Sequence, residues 1–482
     1  MQTARVLLGV VFIVGVIVRL PSLGDPPSLF HTDRQYYTAI HAQELADPWL
    51  DRTAAERAAD HAASRDVFQL EAPLQSYAVA FGWIVLRGTP WWWPRLLSIA
   101  GYLVGAIAIA GLLRRRAGQC AAVVGASVFL FTPFGLALSR SIQPDALMVG
   151  FTCLAVDIGD RLVDRPTWRR AIGFALAASG AVLLKGVALF AIGPIVLLFA
   201  SDRRWVRLRD RRVIASLCVL AAATIWYYVP EFVSGDLRAQ GAGSVIPSLL
   251  GRVAFYQNWI AMLLRVVGPV SFAVVPVAIV WSRGAMRKTI AGWSLGYLGF
   301  ALLYDYRSAT HDYYAALFIP AVAMAAGVVA EQLWVRSNEI GFRRVIRPAV
   351  LGILTIGLVN FSFAPSPTNV ETPPAVARAV GDAVHHGTRV IFEAPDYAYP
   401  LRFDAHVAGF DWEGPADLQL ERLAFGKAPS ASEELAAMRH LGAHQVVFIG
   451  QPRQWDPALK RLVAGDPVTA RGDGWEVRQL LP

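Results

Sequence analysis

In the stretch FHTDRQYYTAIHAQEL, residues 30–45, a carboxylate, a phenol and an imidazole recur every four residues, at Asp33, Tyr37 and His41. On a helix of 3.6 residues per turn these three share a face, with Glu44 close by. A carboxylate so placed can take a proton from a weak nucleophile. The same spacing also describes an amphipathic helix lying on a membrane surface with a solvated polar side, and the pattern leaves both readings open. Further polar groups bear on the choice. Glu71 opens EAPLQSY, Asp145 closes SRSIQPD, and Asp305, Arg307, His311 and Asp312 crowd YDYRSATHD at 304–312. Carboxylates with Arg, Lys and His scattered among them suit a site that binds a phosphate and removes a proton.

The elements that must position these groups are mostly apolar. Of 482 residues 55% are hydrophobic and 17% charged, with a mean hydropathy of +0.42, and runs of about 18 or more apolar residues recur. This is the composition of a polytopic membrane protein. The net charge of +9 resides mainly in arginines between apolar runs, where it acts as a topology signal, so nucleic acid is not an expected partner. Cys120, Cys153 and Cys218 lie in apolar segments without metal-ligand spacing, which argues against a disulfide framework or a zinc site. The first segment, MQTARVLLGVVFIVGVIVRL, is expected to be a retained anchor.

Eleven crossings are expected, at 4–22, 93–113, 120–138, 145–163, 171–184, 187–200, 213–231, 259–281, 290–303, 313–333 and 346–363. Arginine-rich connections at 114 (RRRAG), 160 (DRLVDRPTWRR), 201 (SDRRWVRLRDRR), 282 (SRGAMRK) and 335 (VRSNEIGFRRVIR) all belong inside by the positive-inside rule. That constraint decides two ambiguous runs. Residues 74–88 become an interfacial or re-entrant helix, with Trp91, Trp92 and Trp93 in the aromatic belt. The run 171–200 becomes two short helices turning at Lys185-Gly186, which keeps the lysine away from the bilayer centre, where it would cost several kcal/mol.

The outer face then holds the loop 24–92 with its interfacial helices, the turn at 139–146, Lys185, the loop 232–258 and the turn at 304–312. The membrane domain is expected over 1–364. SPTNVETPP, 366–374, reads as a linker because its prolines block regular structure. Beyond it RVIFEA and HQVVFIG have strand character and SASEELAAMRHLGA helical character. A small extracytoplasmic α/β domain over 365–482 follows, without a catalytic motif, suited to supporting the loops or docking an acceptor.

The order of features resembles the lipid-linked-sugar glycosyltransferases of the GT-C fold, in the family 39 branch related to protein O-mannosyltransferases and aminoarabinose transferases. The matching pieces are HTDRQYYTAIHAQEL, LEAPLQSYAVAFGWIVLRG, PRLLSIAGYLVGAIAIAGLLRRRAG, SRSIQPDALMVGF, LLKGVALFAIGPIVLLF and HDYYAALFIPAVAMAAG, over about residues 5–330 in one consistent order. The resemblance implies transfer of a sugar from a polyprenyl-phosphate carrier to a lipid, glycan or protein acceptor on the outer face of a plasma membrane, such as a bacterial inner membrane. It makes Asp33 the catalytic base and Asp145 the second acidic residue near the same site, with Glu71 as a further candidate. A hydroxyl needs a base to attack, and a departing phosphate needs charge stabilisation more than protonation. Arg34, Arg140, Lys185, Arg307 and His311 are the available donors, with Tyr37 and His41 on the same helix face as Asp33. Direct displacement inverts the anomeric centre.

This chain departs from the family pattern in two places. Where the family commonly has a lysine before Pro-Pro-Leu, it has Glu71-Ala72 before a single Pro73, and its first motif is Asp33-Arg34 rather than an acidic pair. Asp33, Glu71 and Asp145 could assemble an oxygen-ligand site for a divalent ion. Relatives with single-phosphate donors generally need no metal, and no cofactor is expected here. A lipid-linked-sugar flippase would show charged or broken helices at the midplane, whereas the charges here fall at span ends. A non-catalytic assembly subunit would leave the outer carboxylates merely solvated.

Overall fold

The computed structural model describes residues 2–28, 30–69, 71–200, 209–234, 243–339, 372–384 and 389–481. The expected span 346–363 and much of the linker 366–374, of the loop 232–258 and of the connections at 201 and 335 lie outside these residues. The chain opens with α1 (Gln2–Ile17), followed by α2 (Thr32–Ala46), α3 (Ala54–Asp66) and α4 (Leu74–Leu86). Then come α5 (Trp92–Arg116), α6 (Gln119–Phe131), α7 (Pro133–Ser139), α8 (Asp145–Asp164), α9 (Trp168–Leu184) and α10 (Ala188–Ala200). Helices Arg211–Ser234, Val253–Val267, Pro269–Trp281, Gly284–Leu303 and Ile319–Glu339 follow, and then a five-stranded α/β part. The chain divides into two compact units. Unit 1 comprises residues 1–23 and 95–363, and unit 2 comprises 24–94 and 364–482.

Unit 1 is a helical bundle. Among the described residues three segments are long and apolar enough to cross a membrane, Trp92–Arg116, Arg211–Val233 and Asp312–Arg336, or up to five if each bent pair is one span. The bends correct two of the expected straight spans. The run 120–138 breaks by 65° between α6 and α7, where Pro133 lacks an N–H and cannot continue the ladder. The run 259–281 breaks by 82° at Gly268-Pro269, with Gly268 at φ +78°. The first span is shorter than the expected 4–22. Past Ile17 the chain turns, and Arg19, fully buried, donates to the carbonyls of Gly15 and Leu130 at 2.7 Å each and to Ser139 Oγ at 2.8 Å. A guanidinium can be buried only with its N–H groups so satisfied.

α5 and α8 cross closely, since a Cβ on Gly150 would sit 2.0 Å from the Gly101 carbonyl oxygen. At the far end of this pair Arg115 binds Asp157, Arg116 binds Asp160 and Asp164, and Arg161 binds Asp157. The arginines of the first two connections are therefore also knitted to α8. The expected turn at Lys185-Gly186 is present between α9 and α10.

Unit 2 differs in extent from the domain expected over 365–482, because it also takes in residues 24–94, which include the expected outer loop. Its sheet has the order β2-β1-β3-β5-β4, with β1 (Arg389–Glu393) parallel to β2 (Gly409–Asp411) and β3 (Ala443–Ile449). β5 (Trp475–Gln479) runs antiparallel to β3 and β4 (Val468–Gly472). Alternation along β1 sends Val390 and Phe392 into one core with Leu401 and Val477, and Ile391 into another with Leu435 and Leu459. The segments expected as strands are β1 and β3. The expected helix is Ala431–His440, started by a capping box of Ser430 and Glu433.

Side chains tie the loop helices to this sheet. Tyr36 on α2 donates to Asp404 at 3.0 Å, Arg389 on β1 donates to Asp66 on α3 at 2.7 Å, and His406 Nδ1 is 2.7 Å from Asp60. Trp91 packs edge-on to Tyr36 and against Phe403, and Trp93 donates to the Ala78 carbonyl at 3.1 Å across Gly82. Of the three tryptophans expected in an aromatic belt, two are thus engaged in packing, and Trp92 is the exposed one.

One acid of this interface sets a pH dependence. Burial, then the neighbouring Asp60, push the Asp47 carboxyl up to about 8, against the opposing pull of Arg52 at 3.9 Å. Because the folded protein holds this proton more tightly than the unfolded chain, the contribution to stability is full below about pH 4. It is lost as pH rises through about 8. The melting temperature is expected to fall between about pH 4 and pH 8, and Asp47→Asn is expected to flatten that fall in a pH series of thermal unfolding. An unchanged slope in the variant would assign the dependence elsewhere.

Candidate active site

Asp33 stands in the first turn of α2, half-buried, just after His31, whose left-handed backbone (φ +45°) turns the chain into the helix. An anionic side chain at this end is stabilised by the unpaired N–H groups and the helix dipole. Consecutive helical residues point about 100° apart, and the Arg34 guanidinium donates to Glu71 Oε1 at 2.7 Å while lying 4.8 Å from the centre of the Tyr37 ring. All three side chains are buried: Arg34 is 8%, Tyr37 7% and Glu71 9% exposed. Glu71, the acid preceding Ala72, therefore fixes the guanidinium of the residue that follows Asp33.

His41 takes a different role from the one expected. It is buried, its Nδ1 is 2.8 Å from Ser64 Oγ, and burial above all lowers its pKa to about 4. A neutral imidazole locked against α3 is a packing residue, not a charge for a phosphate.

In unit 1, Asp145 begins α8 and Lys185 follows the end of α9. Lys185 Nζ donates to Asp145 Oδ1 at 2.8 Å, with exposures of 3% and 0%. The ammonium also lies 4.4 Å from the ring centres of both Tyr313 and Tyr314. Beyond these rings His311 packs 5.4 Å from Tyr313, and Arg307 reaches His311 Nε2 at 3.4 Å and Ser244 Oγ at 3.0 Å. Asp145, Lys185, His311 and Arg307 thus form one connected cluster. Sequence reasoning assigned no role to Tyr313 and Tyr314, although the paired aromatics of HDYY were the available signal.

The other groups of this turn have structural tasks. Asp305 accepts from the Ile246 and Tyr306 amides at 2.8 and 2.7 Å, and Asp312 lies 3.5 Å from Arg265. Arg140 stands apart from the cluster's ion pair and donates to the Pro21 carbonyl, where it fastens the segment after α1. The expected grouping of Asp33, Glu71 and Asp145 divides between the units, with the first two in unit 2 and the third in unit 1.

The helical bundle with its membrane-length apolar segments and small α/β part has the GT-C fold. The family model described as dolichyl-phosphate-mannose-protein mannosyltransferase matches residues 71–228. No curated protein sequence matches the chain. Among solved structures it is similar to ArnT from Cupriavidus metallidurans in the apo state, with a TM-score of 0.62 at 14% identity over 99% of this chain and 98% of that one. The same protein bound to undecaprenyl phosphate gives 0.64 at 15% identity, over 98% and 97%. An Archaeoglobus fulgidus oligosaccharyltransferase in complex with zinc and sulfate gives 0.58 at 14% identity, over 92% of this chain and 67% of that one.

Proposed function

We propose that the protein is an integral membrane glycosyltransferase that moves a sugar from a polyprenyl-phosphate carrier to a hydroxyl of a lipid, glycan or protein acceptor. The observation that carries this is the full-length likeness of fold to a protein solved with undecaprenyl phosphate. The family-model match and the charged first turn of α2 support it.

Asp33 acts as general base. Its carboxylate takes the proton of the acceptor hydroxyl, the hydroxyl oxygen bonds to C1 of the sugar, and the C1–O bond to phosphate breaks with its electron pair leaving on the polyprenyl phosphate. Attack opposite the leaving group inverts C1. Arg34, held by Glu71 and stacked on Tyr37, is the protein cation beside this base, and a bidentate guanidinium suits a phosphate.

Asp145 and Lys185 lie at the end of α8 remote from the Arg115–Arg116 cluster, whose carboxylates are roughly 18–28 Å along the helix. With the arginine-rich end cytoplasmic, they face the extracytoplasmic side of a plasma membrane. The reaction is proposed to need no metal, because Glu71, one of three carboxylates that could hold one, is engaged by Arg34.

The test is to incubate the purified protein with membranes that supply polyprenyl-phosphate sugars and to follow the lipid donors by mass spectrometry, with and without EDTA. Consumption of one donor species, with the free polyprenyl phosphate appearing and EDTA without effect, is the expected result. Consumption of none, together with no binding of undecaprenyl phosphate, would overturn the reading.

A further inference from the structure

The connection leaving the central strand β1 has an unusual backbone. Asp396, Tyr397 and Ala398 stand consecutively in the left-handed region, at φ +54°, +53° and +53°. L-residues with a Cβ avoid this region, and asparagine, aspartate and glycine are its usual occupants. A run that places a tyrosine and an alanine there persists only where both flanks are fixed, and such strain gathers at functional sites. Both flanks are fixed here. β1 lies inside the sheet, and the helix Tyr399–Asp404 is held on α2 by the Tyr36–Asp404 hydrogen bond and by Phe403 against Tyr36, 5.6 Å between centroids.

The segment also packs directly on α2. Its register on that helix can be followed. His406 meets Gln43, Asp404 meets Tyr36, and the residues before Tyr399 continue toward the turn that carries Asp33. The phenols respond accordingly. Burial first, and the charge of Asp33 among the further causes, keep both Tyr397 and Tyr399 protonated well beyond neutral pH. Their rings lie 5.8 Å apart, and Tyr397 remains 46% exposed with its hydroxyl donating to Asp417 at 3.2 Å.

We propose that Tyr397 and Tyr399 form the acceptor-facing wall of the Asp33 site, so that the C-terminal α/β part selects what the base deprotonates. This rests on the reading of Asp33 as the base. An exposed ring with a second ring beside it offers an apolar face, and the phenol oxygen, its proton given to Asp417, can accept a hydrogen bond at its rim. That pairing suits an acceptor with an apolar ring face and hydroxyls along its edge, as a sugar has. The acceptor is therefore a glycan or a glycolipid headgroup. The left-handed run brings the segment that carries both rings against α2.

The wall has a signature that separates it from a structural role. When the acceptor is poorly held, water can take the sugar in its place, so the wall controls the partition between transfer and hydrolysis. Full-length protein in liposomes would receive tritiated polyprenyl-phosphate sugars from the source cells and the sugar-containing envelope fraction as acceptor. Label on the acceptor, label released as free sugar, and undecaprenyl phosphate binding by tryptophan fluorescence would be read together.

Tyr397→Ala is expected to lower transfer at least about tenfold while hydrolysis and carrier binding stay as in the wild type. Tyr397→Phe is expected to keep most of the transfer. Proportional loss of transfer and hydrolysis, or no change in either, overturns the wall. If Tyr397→Ala loses its thermal transition, Asp417→Ala replaces it, since it frees the ring without deleting it and is expected to cost about threefold in transfer alone. A wild type that neither transfers label nor binds undecaprenyl phosphate would sink the underlying function instead.

Discussion

Asp33→Asn is expected to lower sugar transfer by about 10²–10⁴-fold, the usual range for loss of a positioned general base, with little change in folding. The two side chains have nearly the same shape, the site is half-buried, and the stabilisation lost at the helix N-terminus is only about 0.3–1 kcal/mol. Binding of undecaprenyl phosphate should stay within about twofold, because the lost interaction belongs to the transition state; kcat falls and the donor KM does not. Arg34→Gln separates the neighbouring role. It removes the partner that Glu71 holds at 2.7 Å, so carrier binding should weaken along with turnover. Donor consumption by Asp33→Asn at the wild-type rate would remove this residue from the chemistry and direct attention to Glu71.

Much of the helical part was legible in the sequence, because long apolar runs and arginine-rich connections constrain each other. The turn at Lys185-Gly186 follows from equal arginine flanks and is where the structure has it. The breaks at Pro133 and Gly268-Pro269 were less visible, since a proline inside an apolar run is tolerated in many membrane helices and hydropathy does not register a bend. In the α/β part, β1 and β3 are apolar and buried and so stand out. By contrast, β2 has three residues, and β4 is half-exposed, so neither carries a clear period.

The joining of residues 24–94 to the C-terminal sheet rests on single polar pairs, such as Asp66 with Arg389 and Asp60 with His406, separated by more than 300 residues. Local pattern cannot announce such pairs. The same holds for the site. The place of Asp33 after the first apolar run singles it out in the sequence, and the structure puts it in the first turn of α2. The turning of Arg34 toward Glu71, the burial of His41 and the left-handed run before Tyr399 depend on neighbours distant in the chain.

Lys185→Met is expected to destabilise unit 1 by about 3–5 kcal/mol, the cost of leaving a buried charge without its partner. Asp145 is fully buried, and its second carboxylate oxygen has no hydrogen-bond partner among the described residues. Removing the ammonium therefore strips this carboxylate of its counter-charge. Asp145→Asn should cost less. The ammonium keeps the faces of Tyr313 and Tyr314, each 4.4 Å away, and a desolvated cation–π contact supplies about 2 kcal/mol.

Asp145→Leu combined with Lys185→Met should regain most of the stability, since replacing both members of a buried pair with apolar groups is often neutral or better. Thermal unfolding of the two single variants and the double variant in detergent measures the coupling. Transfer by the refolded double variant then decides what the pair is for. Activity returning with stability makes Asp145 and Lys185 a packing device. Inactivity in a protein that melts like the wild type means that the ammonium or the carboxylate acts on the reactants. The aromatic pair Tyr313 and Tyr314 would then hold a working charge in place.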